Sequence, residues 1–254
     1  MTVVGGASGA GLSPRGRFQW LDVARGIALA AMALYHFIWD LALFGLVDPY
    51  TPFEFGWVAL ARLTATAFLL LVGVGLYLGH GRGIRWRPFW RRLSLIAGAA
   101  AVITVGTWIA MPDAFIFFGI LHMIAVGSLA GLLLVRHAAW VSFAVATIVV
   151  LIATTVAHPI FDAPMFWWTG LGTRPIQSND LVPFFPSFAA VATGIGIAKI
   201  ARLSERSGDW WTREQHDPIS RSLAFAGRHS LAVYLAHQPI LIGLVWLYVR
   251  ASSG

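Results

Sequence analysis

Four ionisable side chains crowd one apolar stretch of the chain: Asp22, Arg25, His36 and Asp40 in LDVARGIALAAMALYHFIWDL. Wound as a helix at 100° per residue, all four fall on one stripe about 60° wide, and His36 stands about 16 Å along the axis from Arg25. Charged groups in an apolar helix are costly, and they persist where they face a polar cavity or partner one another. A guanidinium at one end of such a face can hold an anionic group. An imidazole at the other, with an ordinary pKa of about 6.5, can take a proton from a hydroxyl or amine near neutrality. Asp40, one turn beyond His36, is spaced to orient it or raise its basicity, and Asp22 to brace Arg25.

Other apolar stretches carry polar groups at similar depth. His122 in FFGILHMIAV and His237 in LAVYLAHQPI can converge with His36 on one cavity. Each of these two histidines also has a plainer reading, a packing hydrogen bond to a neighbouring helix. Arg62 lies at the depth of Asp40 on the next helix, either as its ion-pair partner or as a substrate contact. No HExxH or other short-spaced ligand pair occurs, so no metal is expected. Cysteine is absent, which excludes disulfides, thiolate metal sites and cysteine nucleophiles. Gly73, Gly75 and Gly79 in FLLLVGVGLYLG follow no strand and match small-residue helix packing, not a nucleotide loop.

The elements that must position these groups are helices in lipid. The chain is 58% hydrophobic and 11% charged with a mean hydropathy of +0.73, against about 45–50% apolar and about 25% charged in soluble domains. Apolar runs of helix length are read at 20–46, 57–79, 91–111, 114–135, 139–157, 183–201 and 229–249. Of the 18 Lys and Arg, 14 fall at alternate connections on one side and only Arg62, Arg174 and Arg250 on the other, with Arg25 inside the first run. Cytoplasmic segments carry that excess. The fold expected is an all-α polytopic membrane bundle of about seven transmembrane helices, amino terminus cytoplasmic and carboxyl terminus extracytoplasmic. Residues 1–17 read as a flexible tail, 18–250 as a single domain and 251–254 as a second tail. The net charge of +7 sits in short blocks between apolar runs, so it reads as topology and no nucleic-acid partner is expected. The connection 158–182 has the aromatic and Pro/Gly character of a segment that dips into the interface or lids a cavity. That at 202–228 ends in an expected short interfacial helix.

Buried His and Asp groups serve either as acid–base catalysts or as a proton relay, so a small-molecule or proton-coupled transporter is the competing reading of the same residues. The two halves of the chain share no repeat, which counts against a repeat-built carrier.

Taken in order, LDVARGIALAAMALYHFIWDL, AFLLLVGVGLYL, DAFIFFGILHMIAV, SNDLVPFFPSFAAVATGIGIAK and GRHSLAVYLAHQPIL resemble the bacterial members of the heparan-α-glucosaminide N-acetyltransferase catalytic-domain family, over nearly the whole chain after residue 17. The Arg25 to His36 spacing also looks like the motif of the membrane O-acyltransferases that modify cell-surface sugars. The resemblance implies a multi-pass transmembrane acyltransferase of the cytoplasmic (inner) membrane. It would move an acetyl group from cytoplasmic acetyl-CoA to a sugar amine or hydroxyl on the extracytoplasmic side. It implies His36 and Asp40 as the catalytic pair and Arg25 with Asp22 at the donor. His122, His237, Gln238, Arg62 and Asp180 are the candidate substrate contacts. Partners would be membrane lipids and a sugar or glycoconjugate acceptor, with homo-oligomerisation open. In the lysosomal namesake the proposed active histidine lies in the loop after the motif helix. The corresponding GLVDPYTPFEFGW here contains none, and direct transfer assisted by His36 stays open.

Overall fold

With no water to bond to in lipid, a backbone must satisfy itself, and the apolar runs do so as helices. The computed structural model describes residues 19–203 and 217–252. The expected tail 1–17, Arg206 and Arg213, and residues 253–254 of the expected second tail lie outside the described residues. The helices are α1 Gln19–Leu43, α2 Phe55–His80, α3 Trp86–Ala110, α4 Ile120–Val135, α5 Ala139–Thr155, α6 Phe184–Ile200, α7 Pro218–Arg228 and α8 Ser230–Ser252, and no strand occurs among the described residues. Each of the seven apolar runs coincides with one helix. Four of them, α1, α2, α3 and α8, are long and apolar enough to cross a membrane. The apolar helices α4, α5 and α6 have 16, 17 and 17 residues, short of the roughly 20 that span a full hydrocarbon core.

Two boundaries differ from the reading of hydropathy. Helix α4 starts at Ile120 and not at 114, because Pro112–Ala114 form a 3₁₀ turn and the following residues pair with the segment before α6. There the Asn179 N–H donates to the Ala114 carbonyl and the Val182 N–H to the Phe118 carbonyl. Helix α3 starts at Trp86 and not at 91, its arginine-rich first turns being helical although polar, and Pro88 is tolerated so near the N-terminus. The short helix expected before the last run is α7. Its Asp217 carboxylate accepts the Ser220 N–H, with Pro218 in the first turn.

Close helix contacts are built on reciprocal glycines. Gly73 of α2 lies on the Val191 carbonyl of α6, and Gly194 of α6 on the Leu70 carbonyl of α2. Gly26 of α1 and Gly227 of α7 meet the Leu223 and Asp22 carbonyls in the same way. A Cβ at any of the four would strike backbone, so these crossings need the absence of a side chain. The other two glycines of the α2 run do different jobs. A Cβ at Gly75 would come 3.0 Å from Arg25 Nη2, so Gly75 makes room for that guanidinium, and Gly79 faces open space. Met123, Val191, Ala192 and Ile195 fill the centre, where α4 and α6 meet α2. Lys199, a topology charge by sequence, turns inward: its Nζ donates to the Leu134 and His137 carbonyls and to Ser142 Oγ, tying the C-terminus of α4 to α5 and α6.

Candidate active site

The helix starts of α1, α3 and α8 share one end of the bundle, here termed the basic end. The start of α4 and the segment before α6 lie at the other. Between the two ends runs a cavity of about 270 Å³, walled by α1, α2, α3, α4, α8 and residues 179–182. Arg25, Arg92 and Ser230 line it at the basic end, and Tyr35, His36, Asn179 and Asp180 toward the other. Met32, Phe68, Val72 and Ile124 make its middle apolar. Arg25 is held by Asp22, with Nη1 3.2 Å from Oδ1. Gly75 gives it clearance, so its position is set from α1 and α2 together.

The three candidate histidines separate by what their ring nitrogens do. The ring of His122 is fully engaged. Nδ1 accepts the Gly119 N–H at 3.2 Å, and Nε2 lies 3.2 Å from Thr104 Oγ1, whose own proton goes to the Ile116 carbonyl. That fixes Nε2 as the donor and closes the α3–α4 seam. His122 is not among the cavity-lining residues. His237 Nδ1 donates to the Tyr234 carbonyl at 2.5 Å, which leaves Nε2 buried without a partner. His36 lines the cavity, has no hydrogen bond to the described residues, and its ring centroid is 5.0 Å from that of His237. So His36 and His237 come together, and His122 stands apart from them in a packing contact.

Behind His36 the structure joins α1 to α8. Gln238 Nε2 donates to Asp40 Oδ1 at 2.8 Å, across a sequence separation of 198. Asp40 is only 2% exposed, and its Oδ2 and Gln238 Oε1 are buried with no partner. The ion pair expected between Asp40 and Arg62 does not form: Gln238 takes the carboxylate, while Arg62 is exposed on α2 and does not line the cavity. Asp180 caps α4, its Oδ2 accepting the Ile120 N–H at 3.1 Å, and it also lines the cavity. Burial pushes its carboxyl above the usual carboxylate range, with the Ile120 N–H acting in the opposite direction.

Sequence reasoning weighed Arg92 only as a member of the basic cluster 82–92, whose charges either attract the phosphates of coenzyme A or set topology, and did not single it out. The signal lay in its register. Arg92 is three residues from Phe89 and four from Ile96, on the edge of the buried face Phe89–Leu93–Ile96–Ala100. Tyr35, Thr64, Asn179 and Tyr234 also line the cavity and carried no distinguishing pattern. Among the described residues no group of three His, Asp or Glu side chains is placed to hold a metal.

Fold and site define an all-α membrane protein with a central cavity that carries guanidinium groups at one end and an imidazole and a carboxylate toward the other. The chain belongs to the family described as heparan-alpha-glucosaminide N-acetyltransferase, catalytic, whose family model matches residues 17–239 and so takes in every residue of this site. It is an enzyme of that acetyltransferase family. No curated protein and no solved structure shows a significant match to the chain.

Proposed function

We propose that this protein transfers an acetyl group from acetyl-CoA, bound at the basic end, to a sugar amine or hydroxyl entering from the opposite end. The observation that carries the proposal is that Arg25 and His36 line the same cavity. Donor and acceptor can therefore meet without either crossing the bundle. His36 is the general base. As the acceptor N or O attacks the thioester carbonyl carbon, His36 takes its proton; collapse of the tetrahedral adduct breaks the C–S bond, and the thiolate leaves to be protonated. The apolar middle of the cavity keeps water from the thioester. Asp40 and Gln238 act as positioning residues through α1 and α8, and Asp180 accepts hydrogen bonds from the acceptor's hydroxyl or amine groups.

The proposal includes the seven-span arrangement in the cytoplasmic membrane, with the basic end cytoplasmic, supported by the charge bias. A reporter inserted near Ser207 is then cytoplasmic and one fused after Gly254 extracytoplasmic; both on one side would reject the arrangement. For the reaction, purified protein is given labelled acetyl-CoA with and without an amino-sugar acceptor. Protein-dependent loss of label from the thioester is the expected result. Flux of solute driven by an ion gradient with an intact thioester would assign the cavity to a carrier instead.

A further inference from the structure

A separate pocket of about 580 Å³ lies at the basic end, where α2, α4 and α6 finish and α5 begins. None of its described residues belongs to the central cavity. Arg82, Arg136, His137 and Lys199 line it, and no acidic side chain among the described residues does. The last carbonyls of three helices carry partial negative charge here, and Lys199 answers them. With its Nζ bonded to the Leu134 and His137 carbonyls and to Ser142 Oγ, all three of its N–H groups are engaged. Arg82 and Arg136 are exposed, and neither pairs with a carboxylate among the described residues. Two guanidinium groups are thus left to meet an anion from outside. The rim beside them is apolar: Leu133, whose carbonyl accepts from His137 Nδ1, Trp140, next to Ala139 of the pocket wall, and Ile200, next to Lys199, are all exposed.

We propose that this pocket binds the head group of an anionic phospholipid, with Arg82 and Arg136 on its phosphate and the acyl chains lying along Leu133, Trp140 and Ile200. Basic pockets between membrane helices take such head groups. A soluble phosphate would meet the same guanidinium groups and leave the apolar rim uncovered, whereas a lipid satisfies both at once. The inference needs the chain to lie in a bilayer and is independent of the acetyl-transfer reading.

The test titrates the full-length protein, in uncharged detergent micelles at ~0.15 M salt, with dioleoyl phosphatidylglycerol or dioleoyl phosphatidylcholine. The readout is the rise in melting temperature, whose concentration dependence gives an apparent affinity. An arginine at an anionic membrane surface is worth about fivefold in binding. The wild type should therefore favour phosphatidylglycerol by at least about tenfold, and Arg82→Gln/Arg136→Gln should lose about tenfold to thirtyfold. Arg82→Lys/Arg136→Lys keeps both charges and should stay within about fivefold of wild type. Arg87→Gln/Arg91→Gln removes two charges from the first turns of α3, at residues lining neither pocket, and should change the affinity less than about threefold. Glycerol phosphate, which has the phosphate without the chains, should give no rise at the same concentrations. A wild type that does not distinguish the two lipids would overturn the site. So would equal losses in the two Gln pairs, which would assign the preference to the general field of the basic end. A full rise with glycerol phosphate or coenzyme A that disappears in Arg82→Gln/Arg136→Gln would assign the pocket to a soluble phosphate and overturn the lipid.

Discussion

Replacing Gln238 by Leu removes the only hydrogen bond to the Asp40 side chain found among the described residues, in a place where Asp40 is 2% exposed. Interhelical hydrogen bonds in lipid average about 0.6 kcal/mol and reach about 1.7. Bonds to an ionised partner are worth about 1.5–3 kcal/mol. Asp40 Oδ2 already lacks a partner, so the variant strands the entire carboxylate, and a loss of about 1.5–3 kcal/mol is expected. Asp40→Leu strands the Gln238 amide instead and should cost about 1–3 kcal/mol. The double variant Asp40→Leu/Gln238→Leu strands nothing. It should therefore be more stable than the sum of the singles by at least about 1 kcal/mol, as is usual when both members of a buried polar pair are replaced by apolar groups. The assay is reversible unfolding in mixed micelles, followed by tryptophan fluorescence across a denaturant series for all four proteins. Additivity within about 0.3 kcal/mol would show that the pair is not a coupled α1–α8 tie, and with it would go the positioning role of Asp40 and Gln238.

His36→Gln should stay folded and bind donor while acetyl transfer falls by about 10²- to 10⁴-fold, the contribution of a positioned base; near wild-type transfer across the pH range would remove His36 from the chemistry. His122→Ala should show the reverse pattern, losing about 1–3 kcal/mol of stability because Gly119 N–H and Thr104 Oγ1 lose their partner, with transfer by the folded fraction retained. Gly194→Ala should destabilise by about 1–3 kcal/mol through collision with the Leu70 carbonyl, whereas Gly79→Ala, facing open space, should lie within about 0.5 kcal/mol of wild type in thermal unfolding. At Asp162 the Thr173 hydroxyl, with the Thr173 and Arg174 N–H groups, holds the carboxyl below its ordinary value of 3.8. A lowered folded-state pKa stabilises above the unfolded value and is lost as pH falls through the folded one. The gap in melting temperature between wild type and Asp162→Asn should thus be open near neutrality and close as pH drops below 3.8.

The positions of the helices were legible because lipid burial writes itself into uninterrupted apolar runs, and the stripe Asp22–Arg25–His36–Asp40 because period 3.6 projects directly onto a face. The start of α4 was not, since FIFFG is as apolar as a helix and only its pairing with residues 178–182 gives it another backbone. Arg62 was misplaced because depth along α2 does not set rotation about it. Thr64, two residues on and so about 200° around, holds the cavity-facing position instead. The Asp40–Gln238 bond joins residues that no local pattern connects. His36 and His122 share an apolar setting, and what separates them is whether a neighbouring helix offers a partner, which is a property of packing.

Asp180 serves two masters. Its carboxylate closes the first turn of α4 and also faces the cavity, so any substitution that retunes acceptor choice there must also give up a helix cap, typically about 0.5–2 kcal/mol. Asn179 carries no such tie through its side chain beyond a contact to Met111 Sδ at 3.3 Å, its place in the chain being set by its backbone bond to Ala114. Across descendants of this scaffold, divergence in acceptor preference should therefore accumulate at position 179 while position 180 stays fixed, and a laboratory selection for new acceptors would find its first gains in the same place.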